Sequence, residues 1–193
     1  MKKILIATRN EDKYKIISKL LSTKHFKNAQ FYALKNIDDI VDDKKEEGTI
    51  EERSLQKAVN AYKTVNSKYD LIVGVDDGIK INGKIIENVK EYIKPIINDE
   101  LLLQGEKIYI VRAFSFISKD GNKKSIVTEI PFQYKKSQSK IEILENSYPL
   151  SYVLSPIESK KTVVELSDDE SNDYYLKFSQ LEFDEVKDFF NDN

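Results

Sequence analysis

An apolar run that turns into a helix with almost no loop between them constrains this chain more than any other feature. Ile4-Leu5-Ile6-Ala7 reads as a buried strand, stops at Thr8-Arg9-Asn10, and gives way to a helical stripe of Tyr14, Ile17, Leu20 and Leu21. Thr8, Asn10 and Lys13 then lie at the strand's carboxyl end and in the first helical turn. Unpaired N–H groups and the positive end of the helix dipole favour an anion there. Lys13 opposes that dipole, and a bound phosphate would balance it. The same residues also read as a plain cap, with Asn10 closing the helix and Lys13 in solvent.

The rest of the chain changes period in an orderly way. Phe31–Leu34 reads as a second strand, residues 36–48 as a charged loop, and residues 49–66 as a helix through Leu55, Ala58, Tyr62 and Val65. Leu71–Val75 reads as a buried strand ending at Asp76-Asp77-Gly78, followed by a hairpin around Asn82-Gly83. A helix is expected over 88–104, broken or kinked at Pro95. Strands over Ile108–Ile117 and Ile126–Tyr134 flank a turn at Lys119–Asn122, and a last helix covers Asn172–Phe190. Strand–helix alternation followed by hairpins predicts an α/β domain spanning all 193 residues, with a mixed central sheet and flanking helices.

The second chemical cluster is acidic. Asp76 and Asp77 fall at a predicted strand end, where open α/β sheets bind ligands. Paired carboxylates suit Mg²⁺, which takes one or two of them and otherwise keeps water and phosphate oxygens. A carboxylate there also accepts a proton from attacking water. Asp-Asp-Gly reads equally well as an ordinary turn. Glu46, Glu47, Glu51 and Glu52 could add negative charge nearby.

Other chemistries are closed by composition. Cysteine is absent and His25 is the only histidine, which argues against Ser-His and Cys-His nucleophiles and removes thiolate zinc sites. No P-loop or G-x-G-x-x-G motif occurs among 6 glycines. A net charge of −2 gives no general attraction to nucleic acid or anionic membrane, no apolar run approaches a membrane span, and the cytoplasm is the expected compartment. The 11 Tyr and 9 Phe mostly fall at core spacings and read as packing.

Thr8-x-Asn10-x-x-Lys13, then Glu46-Glu47-Gly48-Thr49-Ile50-Glu51-Glu52 leading to Lys57-Ala58, then Val75-Asp76-Asp77-Gly78, resemble the inosine triphosphate pyrophosphatase family in order and spacing. The resemblance continues through Tyr148–Pro156, Thr162 and Glu165-Leu166. It implies a mixed α/β fold with two lobes around a cleft, a homodimer, and Mg²⁺-dependent hydrolysis of non-standard purine nucleoside triphosphates to monophosphate and pyrophosphate. It implies that Thr8, Asn10, Lys13 and Lys57 hold phosphates and that Glu46 or Glu47 is a metal ligand. An ungapped match makes Asp76 base and metal ligand, with Asp77 at a Ser/Thr position. A shifted match gives Asp77 the base role. The family's Ser-His-Arg triplet falls at Tyr175-Leu176-Lys177, leaving Lys177 as a phosphate contact, and its base-site Lys and Asp fall at Ser171 and Ser151. The phosphate half thus matches while the base-reading half is rewritten. The expected function is a pyrophosphatase of altered base selectivity, or else a degenerate relative that binds a nucleotide or a protein without turnover.

Overall fold

The computed structural model describes residues 1–24, 26–34, 47–65, 68–98, 100–135, 149–184 and 189. Strand β1 (Lys3–Ala7) forms where the sequence is most apolar, with Ile4, Leu5 and Ile6 fully buried. Helix α1 (Glu11–Lys24) follows and buries Ile17, Leu20 and Leu21. β2 (Gln30–Ala33) pairs with β1 in parallel, Leu5 opposite Tyr32, a return that requires a crossover such as α1. Helix α2 (Ile50–Val65) leads to β3 (Leu71–Ile81), parallel to β1 on its other side, with Ile4 opposite Leu71 and Ala7 opposite Gly74.

β3 corrects one expectation. It continues for 11 residues, so Asp76-Asp77-Gly78 lies inside the strand and makes no turn. The turn comes at Asn82-Gly83, where φ values of 50° and 78° suit the left-handed pair of a type I′ hairpin, and β4 (Lys84–Ile86) returns antiparallel to β3. Helix α3 (Val89–Ile97) stops well short of residue 104. Pro95 is accommodated within it, and the N–H groups of Asn98 and Glu100 close the end on the Lys94 and Pro95 carbonyls. β5 (Lys107–Ser118) and β6 (Lys123–Tyr134) form the expected pair of strands, and β7 (Leu154–Pro156) adds antiparallel to β6. The strand order is β2-β1-β3-β5-β6-β7, with β4 on β3, a mixed sheet.

Helix α4 (Asp168–Asp184) starts four residues earlier than expected. Ser167 and Glu170 form a capping box: the Ser167 N–H donates to Glu170 Oε2 at 2.8 Å and the Glu170 N–H donates to Ser167 Oγ at 3.2 Å. The Ser167 N–H, with help from Lys161, lowers the Glu170 carboxyl to about 2. A folded-state value below the ordinary one means that the cap's contribution is fully present above the unfolded value and is lost as pH falls toward 2. Carbon-detected NMR is expected to show Glu170 still ionised at pH 3; a midpoint at its ordinary 4.5 would remove the cap.

The chain divides into two compact units. The first comprises Met1–Asp76, Arg112–Thr128 and Ser179–Asn193; the second comprises Asp77–Val111 and Glu129–Phe178. In the first, Leu5, Ala7, Ala58, Ala61, Tyr69, Ile72 and Ile117 form a buried cluster where α2 packs on the sheet. In the second, Phe132 and Tyr134 are fully buried, and the Tyr134 hydroxyl donates to the Ile96 carbonyl at 3.0 Å.

Candidate active site

At the carboxyl end of β1, the geometry is first of all that of a cap. Asn10 Oδ1 accepts the Lys13 N–H at 2.9 Å, and Thr8 Oγ1 accepts the Asn10 N–H at 3.2 Å. Asn10 is therefore the N-cap of α1, bonding to the third helical residue. Glu11 and Asp12 occupy the same first turn and already complement the dipole. Lys13 is half-buried, and its main chain is fixed by the cap.

The second part of the site comes from α2. Thr49 caps that helix: its N–H donates to Glu52 Oε2 at 2.8 Å, and Glu52's N–H donates back to Thr49 Oγ1 at 3.3 Å. This box explains Glu52 as a structural carboxylate. One turn on, Arg53 and Lys57 stand at i and i+4, so both project from one face. Between them they take both oxygens of Asp76. Arg53 Nε donates to Oδ2 at 2.6 Å and Lys57 Nζ to Oδ1 at 2.5 Å. Arg53 Nη1 also donates to the Gly48 carbonyl at 2.6 Å, tying the guanidinium to the loop before the helix. Asp76 is 8% exposed, and one carboxylate facing two cations leaves a local charge of plus one.

Gly74 sets how close α2 comes. A Cβ at position 74 would overlap the Ser54 carbonyl oxygen and stand 2.8 Å from the Ala58 nitrogen. The helix backbone therefore rests directly on β3, and residue 76, two positions further along the strand, points to the same face. Behind this contact runs a chain of hydroxyls: Ser54 Oγ lies 2.7 Å from Ser115 Oγ, which lies 2.8 Å from Ser125 Oγ. Ser54 and Ser115 are fully buried. Ser115→Ala is expected to cost about 1 kcal/mol of stability in urea unfolding, because it breaks both links. No loss would show that the chain of hydroxyls is incidental.

The remaining expected site residues are placed as follows. Asp77 is half-buried and, as the next residue on a strand, points to the face opposite Asp76. The two carboxylates are thus not one pair. Glu46 and His25 lie outside the described residues, as does Tyr148. Glu47 is exposed, and its main chain is held by Gln56, whose Nε2 donates to the Glu47 carbonyl at 2.9 Å. Among the described residues no group of three or more His, Asp or Glu side chains could hold a metal ion.

Lys177 belongs to the second unit. It lines a pocket of about 310 Å³ together with Tyr109, Pro131, Ile157, Tyr174 and Phe178. Its Nζ sits 5.3 Å from the Phe178 ring centre. The Tyr174 hydroxyl donates to the Pro131 carbonyl and accepts the Ile157 N–H at 3.0 Å, and burial raises its pKa. Tyr175, the first residue of the replaced triplet, is buried against Phe132. Arg53 is the residue that sequence reading missed. Its signal was present: two cations at i and i+4 repel unless an anion faces both.

No protein-family model matches the sequence, and no curated protein matches it. Solved structures match it over nearly its whole length. The Ham1 protein of Staphylococcus aureus superposes with a TM-score of 0.65 at 16% identity, covering 98% of each chain. The Coxiella burnetii HAM1 protein gives 0.63 at 13% identity over 100% of each chain. The nucleoside-triphosphatase, or dITP/XTP pyrophosphatase, of Mycobacterium abscessus gives 0.57 at 16% identity, covering 93% of this chain and 95% of that one. Across both of its units, the chain has the mixed α/β fold of these Ham1-type structures.

Proposed function

We propose that the chain is a nucleoside triphosphate pyrophosphatase of the inosine triphosphate pyrophosphatase family. It would cleave between the α- and β-phosphates and release a monophosphate and pyrophosphate. The observation that carries this reading is the Arg53–Asp76–Lys57 cluster on β3. In register, Gly74 lies beside Ala7, so Asp76 follows on β3 just as Thr8 and Asn10 follow on β1. Adjacent strands stand about 4.8 Å apart. An α1 terminus at the end of β1 and two α2 cations beside the middle of β3 are therefore placed to meet a phosphate chain, in a fold whose solved examples include a dITP/XTP pyrophosphatase. A homodimer and a cytoplasmic setting belong to the same reading. Among the described residues no helix is long and apolar enough to cross a membrane.

The chain's own residues suffice for an outline of the chemistry. Lys57, Arg53 and Lys13 neutralise charge that builds up on the phosphates. As a triphosphate draws on the two α2 cations, Asp76 is left to accept a proton from the attacking water. Mg²⁺, with Asp76 and Glu46 or Glu47 as its expected ligands, does not fit the described ones among these side chains as they stand, Glu46 lying outside the described residues. Both Asp76 oxygens already carry ion pairs, Asp77 points to the other face, and Glu47 is exposed. No step is therefore routed through a metal.

Two measurements test this reading. Lys13→Ala is expected to weaken triphosphate binding about tenfold in titration calorimetry, while stability changes by no more than about 0.5 kcal/mol. Unchanged affinity would leave Lys13 as a bystander of the cap. Base selectivity is expected to be weak, below about a hundredfold between ITP and ATP, because Ser151, Ser171 and Tyr175-Leu176-Lys177 supply no set of polar groups matched to a 6-oxo purine. A larger preference in steady-state kinetics would show that other residues read the base.

A further inference from the structure

We propose that Arg53 occupies the place beside Asp76 that a divalent cation would take, so that the ligand-free seat excludes metal and receives phosphate by itself. The geometry is specific. Arg53 Nε holds Asp76 Oδ2 at 2.6 Å while its Nη1 holds the Gly48 carbonyl at 2.6 Å, so the guanidinium bridges strand and loop as a fixed charge. Lys57 takes the other oxygen at 2.5 Å. The three side chains are largely withdrawn from water, with exposures of 15%, 23% and 11% for Arg53, Lys57 and Asp76. A hard cation arriving at Asp76 would have to displace one of these ion pairs and then sit within a few ångströms of two positive charges. A phosphate oxygen meets the opposite situation, since guanidinium and ammonium both bind it directly, the former through a planar fork. Arg53 thus sets which ion the seat admits.

The test uses Mn²⁺ alone as a spectroscopic probe, read by electron paramagnetic resonance on the full chain. Wild type is expected to bind no Mn²⁺ below about 1 mM. Arg53→Gln frees Oδ2, and its Mn²⁺ affinity should rise about tenfold or more. Asp76→Asn in that background should abolish the gain, which places the ion at this carboxylate. Melting curves followed by circular dichroism establish that each variant is folded; should Arg53→Gln fail to fold, Arg53→Met is used, which keeps the aliphatic stem, frees Oδ2 in the same way and carries the same expected gain. Tight Mn²⁺ binding by wild type that Asp76→Asn removes would overturn the proposal. So would a folded Arg53→Gln that gains no affinity. The second arm rests on the nucleotide reading above: triphosphate affinity in EDTA should lie within about threefold of that in Mg²⁺, and Arg53→Gln should lose about tenfold in EDTA. A wild type that binds triphosphate only with Mg²⁺ also overturns the proposal. A wild type that binds no triphosphate under either condition overturns the proposed function instead, and the Mn²⁺ arm still decides the role of Arg53.

Discussion

Asp76→Asn is expected to reduce hydrolysis about a thousandfold and to destabilise the fold at the same time. The activity loss follows from removing the carboxylate that takes the proton from water, an effect of ~10²–10⁴ for a positioned base. The stability loss follows from the ion pairs. Arg53 and Lys57 would face each other across a neutral amide, with the anion that reconciles them gone. Breaking a fully buried pair costs about 3–5 kcal/mol; these cations keep some solvent, so about 2 kcal/mol is expected here. Arg53→Gln or Lys57→Gln in the Asp76→Asn background should recover part of that loss by relieving the repulsion, and denaturant midpoints would read it. Asp77→Asn is expected to be much milder on both counts, because its side chain leaves the opposite face of β3. Reversed severity would move the base role to Asp77, and two variants as active as wild type would end the enzymatic reading.

Gly74→Ala is the second large effect. There is no room for a Cβ: the added atom meets the α2 backbone at Ser54 and Ala58, which cannot yield as a flexible side chain would. Overpacking of this kind costs about 3 kcal/mol. It should also push α2 off β3, carrying Arg53 and Lys57 away from Asp76 and loosening the contact between Ser54 and Ser115. Activity should therefore fall even at temperatures where the variant is folded. A variant as stable and active as wild type would mean that the helix does not rest on the strand in this way.

Local signals were legible where sequence and tertiary context agree. Ile4–Ala7 is apolar because its strand is covered by helices, and Asn82-Gly83 is a turn because both residues adopt positive φ. The spacing of Leu55, Ala58, Tyr62 and Val65 marks α2, and the Thr49–Glu52 capping box closes its start. The Ser167–Glu170 box opens α4 four residues ahead of Asn172, where apolar spacing alone places its start. Asp76-Asp77-Gly78 misled for a physical reason. Its composition is that of a turn, yet Asp76 sits inside β3 because two cations from α2 neutralise it, a contact 19 and 23 residues distant in sequence. The same distance hid Arg53. Pairing of the carboxylates was expected from adjacency in sequence, whereas strand alternation sends neighbours to opposite faces.

The most direct measurement of the central claim is product identification with purified full-length chain. Standard and deaminated nucleoside triphosphates would be incubated with and without Mg²⁺, and products resolved by phosphorus NMR. The account predicts nucleoside monophosphate and pyrophosphate in equal amounts from at least one triphosphate, and loss of both in Asp76→Asn. Release of orthophosphate and nucleoside diphosphate, or no product from any triphosphate under either condition, would contradict it.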